Sequence, residues 1–162
     1  MANEWKKDFN AMLRAPRDMP RIQRVDDPAT VEKYGGTRMY FAPPMDYDRE
    51  MKRVPRGRLT TVGAIRARLA ARAGADFTEP IHAGAFVSIA AWASEQRADD
   101  PTPWWRTLKA GGELNPRYPG GIEAQRARLE AEGHTVVRRG RKNFRWYVAG
   151  YEQALFDPDG ES

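Results

Sequence analysis

The chain has 162 residues, 41% of them hydrophobic, enough for one compact domain with a core and too few for two full-sized ones. Its 27 Lys and Arg outnumber 22 Asp and Glu, giving a net charge of +5 and a pI near 9.7, a balance that favours a polyanionic partner. No cysteine is present, which excludes disulfides, thiolate zinc or iron–sulfur ligation and a cysteine nucleophile. With His82 and His134 as the only histidines, a metal site would need carboxylates to complete it, so neither a metal nor a cofactor is expected.

Met1 to Asp8 mixes both signs of charge before any apolar run, so no signal peptide is expected, and the weakly polar stretch Ala83 to Ala93 covers about half the length of a membrane-spanning helix. Trp5, Phe9, Met12 and Leu13 then form a helical stripe that predicts a docked helix. From Arg14 to Pro44 the pattern dissolves into Pro16, Pro20, Pro28, Gly35-Gly36 and Pro43-Pro44. Only a short helix at Val31 to Tyr34 and a short extended piece at Thr37 to Phe41 are expected there. Tyr47 and Met51 share one face of a helix that starts after Pro43-Pro44.

The next stretch is more regular. Thr60 or Thr61 caps a helix with Val62, Ile65, Leu69 and Ala70 on its apolar stripe and Gly74 at its end. A second helix is expected from about Pro80, burying Phe86, Ile89, Ala90 and Ala93 behind the small residues Ala83, Gly84 and Ala85. After a Pro-rich loop come Trp104-Trp105-Arg106, a Gly111-Gly112 turn, and a helix carrying Ile122, Gln125 and Leu129 and closed by Gly133. Thr135 to Val137 and Phe144 to Val148 read as strands around the cationic tip Arg138-Arg-Gly-Arg-Lys-Asn.

These elements are compatible with a mostly α fold: a winged helix-turn-helix with a small C-terminal β-hairpin and an N-terminal helical extension. The expected division is residues 1–53 as the extension, 54–156 as the domain and 157–162 as a flexible tail.

Three segments read in order resemble the DNA-binding domain of the alkylguanine DNA alkyltransferases, and more closely the alkyltransferase-like proteins that lack the acceptor cysteine. Val54 to Ile65 is similar to the entry into that family's first motif helix. Pro103-Trp-Trp-Arg-Thr looks like its Pro-Cys-His-Arg-Val active-site segment. Gly112-Glu-Leu, Gly120-Gly-Ile and Leu129-Glu-Ala-Glu-Gly follow in the family's order and approximate spacing.

The resemblance implies minor-groove binding and extrusion of a damaged nucleotide. It places Trp104 at the acceptor cysteine, Trp105 at the activating histidine and Glu132 at the glutamate of the relay. Alkyl transfer therefore has neither an acceptor nor a base, and no enzymatic activity is expected. Val62 stands where the family has a nucleotide-rotating tyrosine, and Ile81 or His82 falls near its arginine finger. An apolar wedge at Ile81 or Phe86 would serve the same purpose.

The resulting candidate DNA contacts are Thr61, Ile81, His82, Ala83, Gly84, Arg138, Arg139, Arg141 and Lys142. The candidate base pocket is Val62, Pro103, Trp104, Trp105, Arg106 and Glu132. Trp104 and Trp105 form either an aromatic wall for a base or a packed plug of the core. Arg106 is expected in structural hydrogen bonds. Arg66, Arg68, Arg72, Arg126 and Arg128 are expected in intrahelical ion pairs, His82 as a capped and partly exposed residue, and His134 as a favourable cation at a helix end.

The function implied is a non-enzymatic, nucleoid-associated cytoplasmic protein that binds duplex DNA at alkylated guanine and flags it for another repair protein, with no membrane partner. Two alternatives remain at this point: a transcriptional or architectural DNA binder, and a protein-interaction module.

Overall fold

The computed structural model describes residues 6–160. Helix α1 (Phe9–Arg14) starts where the Asp8 carboxylate accepts the Ala11 amide, and it buries Phe9 and Leu13. Phe9 stacks on Trp92 at 5.6 Å, and its amide donates to Gln96 Oε1 at 2.9 Å. Trp5, expected on the same stripe, lies outside the described residues.

The irregular segment from Arg14 onward holds more order than its prolines suggest. β1 (Arg21–Arg24) runs antiparallel to β2 (Arg38–Phe41), with α2 (Pro28–Tyr34) between them. β2 in turn pairs in parallel with β4 (Phe77–Thr78), which lies between α4 (Val62–Ala73) and α5 (Ala83–Gln96). This three-stranded sheet is not foreseen from the sequence. β1 alternates no apolar residues and β4 has only two residues, so neither carries a periodic signal.

α3 (Pro44–Lys52) places Tyr47 and Met51 in the main core with Phe86, Val87, Ala90 and Trp104, as its pattern predicts. Two carboxylates, one on each edge of that apolar stripe, are buried as well. Asp48 accepts from Thr102 Oγ1 at 2.6 Å and lies 3.3 Å from Lys52 Nζ. Glu50, 5% exposed, meets Arg68 at 2.9 Å, Arg72 at 3.3 Å and Arg53 at 3.4 Å. Arg68 and Arg72 thus pair across to α3 and not within their own helix as expected, because a buried carboxylate needs several donors to offset its lost hydration.

α4 begins at Thr61, whose hydroxyl accepts the Ala64 amide, and ends at Gly74 in the left-handed region at φ +70°. β3 (Thr60–Thr61) pairs in parallel with β5 (Thr107–Leu108), which sets the Trp104–Arg106 turn beside the start of α4.

α6 (Gly121–Ala131) and the hairpin of β6 (Val136–Arg139) and β7 (Arg145–Val148) close a second, smaller core of Leu59, Leu108, Leu114, Leu129, Val136 and Val148. Fully buried Gln125 ties this region to the site. Its Oε1 accepts the Asn115 amide at 2.7 Å and its Nε2 donates to the Trp105 carbonyl at 3.1 Å. The chain end returns to α3 and α4: the Phe156 amide donates to the Leu59 carbonyl at 2.7 Å, Arg53 donates to the Pro158 carbonyl at 3.0 Å, and Arg68 pairs with Asp159. With three small sheets among the helices of the described residues, the fold is mixed rather than mostly α.

Candidate nucleic-acid interface

The start of α5 is shaped by Glu79. Its buried carboxylate accepts the amides of Ile81 and His82 and lies 2.7 Å from His82 Nδ1. These bonds hold residues 80–82 as a turn, so the helix begins at Ala83 and not at Pro80. Ile81 consequently projects from the turn, 84% exposed. His82 is exposed and stacks on Phe86 at 5.6 Å. Ala83 is buried, so of the small residues it is Gly84 and Ala85 that face solvent, which removes Ala83 from the expected contact surface. Thr61 is committed to capping α4, and Val62 is half-buried against the main core.

Trp104 is 1% exposed, with its ring edge-to-face on Trp105 at 5.5 Å and on Tyr118 at 5.3 Å. Tyr118 is itself fully buried and donates its hydroxyl to the Thr107 carbonyl at 2.9 Å. Of the two readings left open for this pair, the structure therefore gives the packed plug at Trp104. Its indole is enclosed, and no face of it is open to a ligand. Pro103 and Trp105 remain half-buried beside it.

Trp105 instead belongs to a polar cluster. Its Nε1 donates to Glu132 Oε2 at 2.8 Å, and the guanidinium of Arg128 lies 4.5 Å from the indole centroid. Arg106 donates to the same carboxylate from Nε at 3.0 Å and Nη2 at 2.7 Å, and to the Val54 carbonyl from Nη1 at 2.9 Å. The Gly57 amide adds a bond to Glu132 Oε1 at 3.0 Å. Burial pushes the Glu132 pKa up, but the bonds from Arg106, the Gly57 amide and Trp105 outweigh it and hold the carboxyl at about 2. The cluster thus pins the Pro55–Leu59 entry, the Trp-Trp turn and the end of α6 together, in the structural role expected of Arg106.

His134 also departs from expectation. Burial lowers its pKa, which works against the cation expected at the end of α6, and Nε2 is buried without a hydrogen-bond partner.

The hairpin tip is exposed throughout, with Arg138, Arg139, Arg141 and Lys142 open to solvent. Gly140 makes the turn possible: its φ is +105°, and a Cβ there would lie 3.0 Å from the Asn143 carbonyl oxygen. Aromatic residues that the sequence reading leaves unassigned stand beside these cations. Phe144 is 45% exposed and lies edge-on to Trp146 at 6.2 Å; Arg138 sits 4.9 Å over Phe144, and Arg126 sits 4.9 Å over Trp146. The period-two alternation of Phe144, Trp146 and Val148 is the signal that points to them, because it puts Trp146 and Val148 on one face of β7 and Phe144 on the same side just before it. Arg126 also makes the expected intrahelical pair with Glu130 at 3.2 Å, whereas Arg128 goes to Trp105.

The family model for the DNA-binding domain of 6-O-methylguanine DNA methyltransferase matches residues 48–134. The chain belongs to this family. The matched span runs from α3 to the end of α6, so it contains α4, α5, the Trp-Trp turn and Glu132, while α1, the three-stranded sheet's first two strands and the basic hairpin lie outside it.

Two solved structures are similar in shape. Schizosaccharomyces pombe Atl1, in complex with damaged DNA containing O6-carboxymethylguanine, is 19% identical with a TM-score of 0.48; 71% of this chain and 94% of that one are covered. S. pombe ATL in complex with DNA is 20% identical with a TM-score of 0.47, over the same shares of the two chains. No curated protein matches the chain. Among the described residues no group of three or more His, Cys, Asp or Glu is placed to hold a metal ion, and no helix is long and apolar enough to cross a membrane.

Proposed function

We propose that this chain is a non-enzymatic duplex-DNA-binding protein that recognises alkylated guanine and flags it for another repair protein. The observation that carries the reading is a methyltransferase DNA-binding domain in a chain without any cysteine, with Trp104 and Trp105 at the positions that resemble the acceptor and its base. A one-way alkyl transfer needs a thiolate to receive the group. Binding is what the remaining chemistry supports.

In this reading residues 54–156 act as a winged helix-turn-helix, with residues 1–53 packed on it and residues 157–162 as its tail. α4 and α5 form the motif, the exposed turn at Ile81 and His82 enters a groove together with Gly84 of the first turn of α5, and Arg138, Arg139, Arg141 and Lys142 of the hairpin hold phosphates. Each neutralised phosphate releases counterions, so affinity falls with salt.

The test is a binding competition among alkylated, mismatched and undamaged duplexes at two ionic strengths. Preference for the alkylated duplex at both strengths is the expected result. Equal affinity for all three would leave a DNA binder without lesion recognition, and no binding at low salt would remove the DNA reading altogether.

A further inference from the structure

α1 and the chain that leaves it lie outside the family match, yet they lead to the start of α5. The two helices pack antiparallel. At one end Gln96 Nε2 donates to the Lys7 carbonyl and Asn10 Nδ2 to the Ala93 carbonyl, each at 2.9 Å. Toward the other, Met12 lines a recess of about 310 Å³ with Ala85, Ser88 and Ile89. The segment after α1 therefore emerges beside the turn that carries Ile81 and His82. Arg17 marks the meeting point: its guanidinium lies 5.4 Å over the Phe86 ring, on which the His82 ring stacks at 5.6 Å.

This segment brings positive charge that the fold does not neutralise. Arg14 is exposed in the last turn of α1, and Arg17 gives one donor to the Ala15 carbonyl at 3.1 Å. Among the described residues neither has a carboxylate within ion-pairing distance, whereas Arg21, Arg24 and Arg49 each have one. Asp18, the acid beside Arg17 in sequence, turns to Arg21 at 3.7 Å.

The helix they flank has the opposite deficit. α5 contains no lysine or arginine, and the buried Glu79 carboxylate at its start sets a negative charge against any phosphate that approaches. Gly84 leaves the first turn bare, with nothing within 4 Å of where its Cβ would be, so a sugar–phosphate backbone meets no side chain there. A helix of this kind docks on DNA only if cations on a neighbouring element hold the backbone beside it.

We infer that Arg14 and Arg17 are phosphate-binding residues, and that the N-terminal segment supplies the backbone contacts that α5 lacks. This rests on the duplex-binding reading above and deepens it by giving the N-terminal extension a part in the interface. The planar guanidinium fork matches a phosphate in geometry as well as charge, and an arginine without an acidic partner breaks no ion pair to bind one.

The test measures binding of alkylated and undamaged duplexes by the full chain across a range of salt. In Arg14→Ala/Arg17→Ala the plot of log affinity against log salt should flatten by about 0.9 for each arginine, and affinity near 0.1 M salt should fall at least about tenfold. The loss should be equal on the two duplexes, because phosphates carry no base information. Arg14→Ala alone, at an exposed position, should flatten the plot by about 0.9 without lowering Tm, which separates lost contacts from lost folding. Arg14→Lys/Arg17→Lys should keep the parent slope. Arg24→Ala/Arg49→Ala removes the same charge from other exposed sites and should keep it too.

An unchanged slope in Arg14→Ala/Arg17→Ala, equal flattening in Arg24→Ala/Arg49→Ala, or a loss confined to the alkylated duplex would each overturn the assignment while duplex binding stands. No binding by the parent chain at low salt would remove the duplex reading and this one with it.

Discussion

Replacing Glu132 by glutamine tests whether its ion cluster holds the site together. The carboxylate is 2% exposed and takes bonds from Trp105, from Arg106 through two nitrogens, and from the Gly57 amide. Its pKa is lowered from 4.5 to about 2 in the folded protein. A depressed folded value means that the stabilisation is present above the unfolded-state pKa and is lost as pH falls through the folded one. The gap between the two corresponds to roughly 3 kcal/mol, trimmed to about 2–3 kcal/mol by the partial solvent access of Arg106. Glutamine keeps the shape but leaves a mostly buried guanidinium without its counter-charge, so the expected loss at neutral pH is about 2–4 kcal/mol. In a chain of this size that lowers Tm by about 5–12 °C.

Urea unfolding of both proteins at about pH 7, 5 and 3 reads the effect. The parent should lead by the full amount at the two higher values, and its lead should shrink toward pH 3 and vanish near pH 2. Curves that run parallel across this range, or a loss at neutral pH below about 1 kcal/mol, would refute the reasoning.

The other expectations concern the hairpin, the core and a cap. Changing Arg138, Arg139 and Arg141 together to alanine should weaken DNA binding broadly and flatten the plot of log affinity against log salt by about 0.9 for each phosphate no longer neutralised; an unchanged slope removes the wing assignment. Trp104→Ala should cost about 3–5 kcal/mol in denaturant titrations, because it empties space enclosed by Trp105 and Tyr118, and a cost near zero would show that the indole is not a structural plug. Thr61→Ala removes the acceptor of the Ala64 amide at 3.1 Å and should cost about 1 kcal/mol, read as a lower urea midpoint at unchanged m-value.

Particular residues show why parts of the site are legible in the sequence and others are not. Thr61 and Gly74 bracket α4 by local chemistry alone: a hydroxyl satisfies an end amide, and glycine alone adopts the left-handed turn without cost. The hairpin is legible for the same reason, through alternation around a Gly-containing tip. Arg68 and Arg72 mislead because the chain shows their helical neighbours but not Glu50, which reaches them only when α3 packs on α4. Ile81 is expected in or near a helix, and the Glu79 carboxylate holds it out by claiming its amide.

The order of residues by itself settled what chemistry is absent and which helices form. A chain lacking sulfur nucleophiles cannot accept an alkyl group on one, and caps, breakers and periodic apolar positions act over a few residues. Tertiary packing decided everything that depends on two distant segments meeting: that Trp104 turns inward against Tyr118, that Glu132 is enclosed by donors from separate segments, and that β2 crosses to β4. A periodic pattern shows which face of a helix is buried, but which partner each buried group meets depends on what arrives from elsewhere in the chain, and no local pattern encodes that.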